Sequence, residues 1–252
     1  MVWLLARREL RSLFLSPMAW SILAVIQVII ALLFLFFLEQ YIEAQPRLNM
    51  MPDPPGITET VVSGMLQSTS FILLLVVPLI TMRVVSDERR NKTLPLLFSA
   101  PVSMTEIVLG KFFGVVGFLL IMVAMLTLMP LSILFAGKLD FGHLASILLG
   151  VVLLLSAFAA AGLFMSTLTN QPIIAAISTF GLLLLLWLID VAGSKVGTEE
   201  TSGVLTYLSL LRHSEAFNKG VFSSSDLIYY LLFITVFVVF SIRRLDNDRL
   251  QR

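Results

Sequence analysis

Long apolar runs alternate with short polar segments along the chain. The runs lie at about 18–38, 64–83, 107–135, 143–168, 172–190 and 226–242. A helix needs about 17–25 apolar residues to cross a hydrocarbon core of about 30 Å. Each run meets that requirement, so six transmembrane helices are expected. Ahead of them, residues 1–15 read MVWLLARRELRSLFL. On a helical wheel Val2, Trp3, Leu5, Leu10, Leu13 and Phe14 share an apolar side, and Arg7, Arg8, Glu9 and Arg11 are polar. That pattern suits a helix lying in the membrane interface. It does not suit a signal peptide, because the charged region is long and no small-x-small site follows the next apolar run. Ser16-Pro17 then offers a cap and a first-turn proline.

The polar segments define the rest. Residues 39–63 hold Pro46, Pro52, Pro54, Pro55 and Gly56 and are expected not to form one helix. Pro78 is expected to kink span two. Asn170-Gln171-Pro172 reads as a tight turn between spans four and five. Residues 191–225 form a second outer segment, and the chain closes with RRLDNDRLQR.

Composition agrees with this pattern. The 252 residues are 58% hydrophobic and 13% charged, against about 45–50% and 25% for soluble domains. The fold class is therefore all-α: a polytopic membrane protein, a single transmembrane domain over 1–252. A net charge of +1 provides no electrostatic case for nucleic acid. Cysteine is absent, which removes disulfides, thiolate metal sites and cysteine nucleophiles. His143 and His213 lack any H-E-x-x-H spacing. No catalytic, cofactor or metal site is expected in the chain.

Charge also orients it. Six spans put both termini on one face. Arg7, Arg8, Arg11, Arg83, Arg89, Arg90, Lys92, Lys111, Arg243, Arg244, Arg249 and Arg252 fall on that face. Arg47, Lys138, Lys195, Arg212 and Lys219 fall on the other. These are all 17 basic residues, so none is left for the interior of a span. The inside-positive bias makes the terminal face cytoplasmic. Asp190 is read as an interfacial acid at the outer end of span five. The embedded polar groups Gln27, Gln67, Thr127, Ser156, Ser178 and Thr179 are neutral and read as interhelical hydrogen bonds, or as lining of a substrate path. Gly110, Gly114 and Gly117, and the run Ser156 to Gly162, read as close helix packing.

Residues 86–111, SDERRNKTLPLLFSAPVSMTEIVLGK, are the most charged internal stretch. Ser86 is placed to cap a short helix with Asp87 and Glu88 in its first turn. Lys92 follows Glu88 by four residues, a favourable helical pair. Pro95 is expected to end this helix near Leu94. Leu96 to Phe98 make an apolar patch, and Pro101 breaks the chain again. Ser103 and Glu106 have capping-box spacing, with Val102 and Ile107 as its staple. An ordinary solvated loop satisfies the same spacing equally well.

The stretch resembles the first cytoplasmic loop of ABC-2 type ABC transporter permeases, which carry E-R-x-x-x-T-L, then P-V/I-S, then E-I-x-x-G-K. Glu88, Arg89, Thr93 and Leu94, then Pro101, Val102 and Ser103, then Glu106, Ile107, Gly110 and Lys111 match. The segment 208–232 is similar to the end of the gliding-motility-associated branch, close to the permease of the nitrous-oxide-reductase maturation system. The resemblance implies a coupling helix at about 86–98 that docks on an ABC ATPase subunit through Asp87, Glu88, Arg89, Arg90, Lys92, Thr93 and Leu94. Pro95 stands where relatives carry a helix former and shortens that helix. The resemblance also implies short outer re-entrant helices at 202–222, presenting Leu205, Tyr207, Leu208, Leu211, Phe217 and Phe222. A second permease copy or a homologue, packed through spans one, two and five, is implied as partner, in a bacterial cytoplasmic membrane.

No G-x-x-x-x-G-K-[ST] occurs, so the chain has no P-loop of its own. ATP and Mg would be held by the partner ATPase. The expected function is the permease subunit of an ATP-driven exporter. A second reading is mechanical transmission to an extracytoplasmic accessory protein, for which 39–66 and 191–225 are large enough. An intramembrane enzyme would need a nucleophile with a base or clustered carboxylates and histidines in the membrane, and no such cluster is visible.

Overall fold

The computed structural model describes residues 1–50, 52, 54–94, 102–135, 139–195 and 209–250, with backbone alone at 190–195 and 211. Among the described residues every regular element is helical. α1 (Val2–Leu15) precedes α2 (Pro17–Leu48). A π-helical turn (Thr58–Val62) leads into α3 (Ser63–Thr81), and a short α4 (Ser86–Arg90) follows. α5 (Met104–Ser132) ends in a 3-10 turn, Ile133–Phe135. Then come α6 (Phe141–Leu168), α7 (Pro172–Lys195), the short α8 (Leu210–Asn218) and α9 (Ser224–Leu250). Six of the helical runs are long and apolar enough to cross a membrane.

α6 is the central helix and packs against α3, α5, α7, α8 and α9. Its small residues explain why. Ala157, Ala159, Ala160, Ala161 and Gly162 are all buried, and a Cβ on Gly162 would stand 2.7 Å from the Thr81 Cβ. In a bilayer the lipid tails are as apolar as the side chains, so close backbone approach replaces the hydrophobic effect as the driving force.

α1 is held in the same way. Cβ atoms on Gly110 and Gly114 of α5 would lie 2.5 Å from the Leu5 Cβ and 2.6 Å from the Glu9 Cβ. The interfacial helix is therefore seated in a glycine groove of α5, with Ala6 buried beneath it. Trp3 lies outside the seat and is 79% exposed. The Trp20 indole N–H closes the α1–α2 corner by donating to the Phe14 carbonyl at 2.8 Å. Pro17 occupies the first turn of α2 as expected, but the Ser16 side chain makes no cap bond.

Helix boundaries differ from the sequence reading, most of all at two ends. The first helix does not stop near residue 38. It runs 32 residues to Leu48, about 48 Å at about 1.5 Å per residue. Pro46 is tolerated because it sits in the last turn, where one lost N–H bond ends nothing further; the helix ends at Leu48 and Asn49-Met50 form a turn. The last helix does not stop near residue 242 but continues through RRLDNDRL to Leu250. Contacts put α1, α4, the start of α5 and the end of α9 on one face. The π-turn, the start of α6 and α8 meet on the other.

The embedded polar residues are mostly not interhelical. Gln27 reaches across to the Met125 carbonyl at 3.3 Å. Thr127, Ser156, Ser178 and Thr179 instead donate to carbonyls of their own helices, the usual local alternative for hydroxyls in a helix. Gln67 is exposed on the single chain. The side chain of Asp190 lies outside the described residues.

A test follows from the glycine seats. Gly162→Ala forces a β-branched neighbour to move and should lower stability by about 1–3 kcal/mol. Gly181→Ala meets open space within 4 Å and should be neutral or raise stability by up to about 1 kcal/mol. Thermal unfolding in detergent, followed by tryptophan fluorescence, compares them; equal shifts would refute the close-approach account.

Candidate functional site

α4 is five residues long and cannot hold itself in place. The expected cap, Ser86, does not cap it. The helix starts one residue earlier, with Val85 at the N-cap, and the Ser86 hydroxyl turns back to the Met82 carbonyl. The first free N–H groups, of Val85 and Ser86, donate instead to the Ser166 hydroxyl of α6 at 3.1 and 3.0 Å. Ser166 in turn donates to the Met82 carbonyl at 3.0 Å. A residue distant in sequence thus satisfies the orphan donors of this helix.

The other end is closed before Pro95 is reached. Lys92 has φ 57, the left-handed region. The Thr93 N–H donates to the Glu88 carbonyl at 2.9 Å and the Lys92 N–H to the Arg89 carbonyl at 3.3 Å. This pair of bonds is the Schellman closure, so the expected stop near Leu94 moves back to Arg90. Pro95, the apolar patch Leu96 to Phe98, and Pro101 lie outside the described residues.

The charges of α4 turn inward. Glu88 does not pair with Lys92. Its Oε1 accepts from Lys111 Nζ at 2.7 Å. Lys111 is only 6% exposed, so it is not the solvated cation that the charge count implied. Its ammonium also donates to the Val84 carbonyl at 2.7 Å and to Glu9 Oε2 at 3.4 Å. A lysine has three N–H donors, and here each has an acceptor from a different segment: α1, the turn before α4, and α4. Next to Glu88, Arg89 forms an ion pair with Asp248 at the end of α9, and Arg244 approaches Asp248 at 3.7 Å. The first group carries one excess negative charge and the second one excess positive charge. α4 joins them through neighbouring residues.

What remains exposed is a tip: Arg90, Asn91, Lys92 and Thr93. Asp87 is half-buried and Leu94 is 3% exposed. The tip borders a cleft of about 880 Å3, lined by Arg83, Asp87, Arg89, Arg90, Lys92 and, from the α6–α7 turn, Asn170, Gln171, Pro172 and Ile173. Beyond it, α5 begins with a closed capping box. Ser103 Oγ accepts from the Glu106 N–H at 3.2 Å, and Glu106 Oε2 accepts from the Ser103 N–H at 3.1 Å. Val102 is half-buried against the core and Ile107 is buried.

A family model described as ABC-2 family transporter protein matches residues 3–250. The chain belongs to the ABC-2 transporter family. No curated protein matches it. Membership implies an ABC ATPase subunit as partner, and α4 with its exposed tip lies in the loop where the resemblance puts the contact.

Sequence reasoning on this ABC-2 chain missed Glu9, Ser166 and Asp248. Asp248 had a readable signal, because Arg244 and Asp248 have the four-residue spacing of a continuing helix. Ser166 had none. The opposite face holds a second cluster. The α8 carbonyls of Phe217 and Asn218 are capped by Ser146 at 3.2 Å, Ser63 at 3.1 Å and His143 at 2.8 Å. His213 Nδ1 lies 2.5 Å from Asp226, and Tyr230 donates to the Leu210 carbonyl at 2.6 Å. Phe217 is buried, and a Cβ on Gly150 would stand 2.6 Å from its Cβ. Of the expected outer helices, α8 is described and Phe222 is exposed beyond it; Leu205, Tyr207, Leu208 and the Leu211 side chain lie outside the described residues. Among the described residues no group of three or more His, Asp or Glu could hold a metal.

Lys111→Met leaves Glu9 and Glu88 together without a cation and should cost about 3–5 kcal/mol. Adding Glu88→Gln should recover part of that, with a coupling of at least about 0.5 kcal/mol. Denaturant unfolding of the single and double variants measures both. Strictly additive losses would show that the two residues do not act as a pair.

Proposed function

We propose that this chain is the permease subunit of an ATP-driven exporter and that α4 is its coupling helix. The single observation that carries the reading is mechanical. α4 is braced at both of its inward charges, to α1 and α5 through Glu88 and to α9 through Arg89, while Arg90 to Thr93 face outward. A load applied at the tip reaches three helices without first bending a loop. The inside-positive bias supports placing this face and both termini in the cytoplasm. The partner ATPase holds ATP and Mg, and its closure moves α4. A second permease copy or a homologue completes the membrane domain. Within the family, the segment 208–232 supports the gliding-motility-associated branch.

Glu88 and Arg89 are tied internally, so replacing them disturbs the fold as well as any docking. The exposed tip separates the two effects. Arg90→Glu with Lys92→Glu should leave thermal unfolding unchanged. It should also weaken co-purification of the ATPase subunit at least about tenfold, or about 1.4 kcal/mol. Undiminished association with a correctly folded double variant would remove α4 as the docking element.

A further inference from the structure

A second cavity, of about 250 Å3, lies on the α4 face between α1, α2, α3 and α5. Its two ends differ in chemistry. Arg8, Arg83, Asp87 and Glu88 line one end; Leu13, Ile22, Ile80 and Phe118 line the other. Lys111 and Phe118 mark the two levels on α5, seven residues and about 10 Å apart along the axis. The change from charged to apolar over that distance is the change from headgroup to acyl chain in a bilayer. The Trp20 indole that closes the α1–α2 corner is a side chain favoured at that boundary.

The charges at the polar end are unevenly used. Lys111 is fully engaged by Glu9, Glu88 and Val84. Among the described residues, Arg8, Arg83 and Asp87 enter no ion pair. Glu88 Oε2 is buried without a hydrogen-bond partner. The unused groups are therefore two guanidinium cations, one carboxylate and one orphan carboxylate oxygen. Two cations suit a phosphodiester, which guanidinium binds in bidentate fashion. The Asp87 carboxylate lacks an opposite charge and the orphan oxygen lacks a donor; a primary ammonium supplies both. The volume lies below the roughly 300–1,000 Å3 of pockets that enclose a whole drug-sized ligand, so it takes a headgroup and the first part of the chains.

We infer that this cavity binds one amine-bearing phospholipid of phosphatidylethanolamine type. Its phosphate lies toward Arg8 and Arg83, its ammonium toward Asp87 and Glu88, and its acyl chains run past Ile22 and Ile80. A choline head has no N–H to donate, and a glycerol head has no positive charge. Both should bind more weakly. The lipid would then lie between α1 and α4 and fill the space behind the braced helix.

Native mass spectrometry of the purified, delipidated full chain in detergent tests this without the ATPase. Phosphatidylethanolamine, phosphatidylcholine and phosphatidylglycerol are titrated separately. One phosphatidylethanolamine per chain should bind at least about tenfold more tightly than either of the others. Arg8 and Arg83 are exposed and unpaired, so Arg8→Ala with Arg83→Ala should leave the fold intact and lower binding of all three lipids. Asp87→Asn should erase the preference for ethanolamine over glycerol without abolishing phosphatidylglycerol binding. Soluble glycerophosphoethanolamine should not displace the lipid at equal concentration; displacement would assign the site to a free phosphate ester and overturn the lipid assignment. Equal binding of the three lipids, or unchanged binding by the double arginine variant, would overturn the proposal.

Discussion

One buried ammonium organises the terminal face of this protein. Lys111 is enclosed by protein, and removing such a charge from water costs several kcal/mol before any compensation. The compensation is complete only when Glu9, Val84 and Glu88 are all in place. Each comes from a separate segment, so the position of any one constrains the other two. α1 cannot leave its seat on α5 without removing Glu9, and α4 cannot rotate without removing Glu88. This turns a five-residue helix, far too short to be stable alone, into a fixed part of the membrane domain.

Close packing by small residues makes that geometry reachable. Lys111 can meet Glu9 because Gly110 and Gly114 let α1 approach α5 to backbone contact. Ser166 can cap α4 because Gly162 admits Thr81, which draws the end of α3 onto α6. The same device recurs on the opposite face, where Gly150 admits Phe217 and the carbonyl end of α8 meets Ser146, Ser63 and His143. In lipid these contacts bring dispersion and hydrogen bonding, not water release, so a single added methyl group has a large lever.

Membership in the ABC-2 family gives these local facts a context. The terminal face has an outward side, the tip Arg90 to Thr93 over a polar cleft, and an inward side whose charges pair at Lys111 and Asp248. Charges that looked equivalent along the sequence therefore divide into a set that holds the helix and a set that is free to meet a partner.

The sequence by itself determined the elements governed by local rules. Apolar run length specified six spans, and Ser103 with Glu106 specified the start of α5, because the bilayer and a helix's own first turn act on neighbouring residues. Tertiary structure decided everything that required a partner from afar. Glu88 has Lys92 within helical reach yet binds Lys111, since Lys92 is spent in the left-handed closure of α4 and a buried cation outbids an exposed one. Ser86 has the right identity for a cap, yet Ser166 caps the helix from α6. The sixth apolar run ends near residue 242, yet the helix continues to Leu250 and brings Asp248 to Arg89. The physical reason is the same in each case. Propensity and spacing rank only local partners, whereas desolvation favours whichever partner the packed helices bring into the same dry volume.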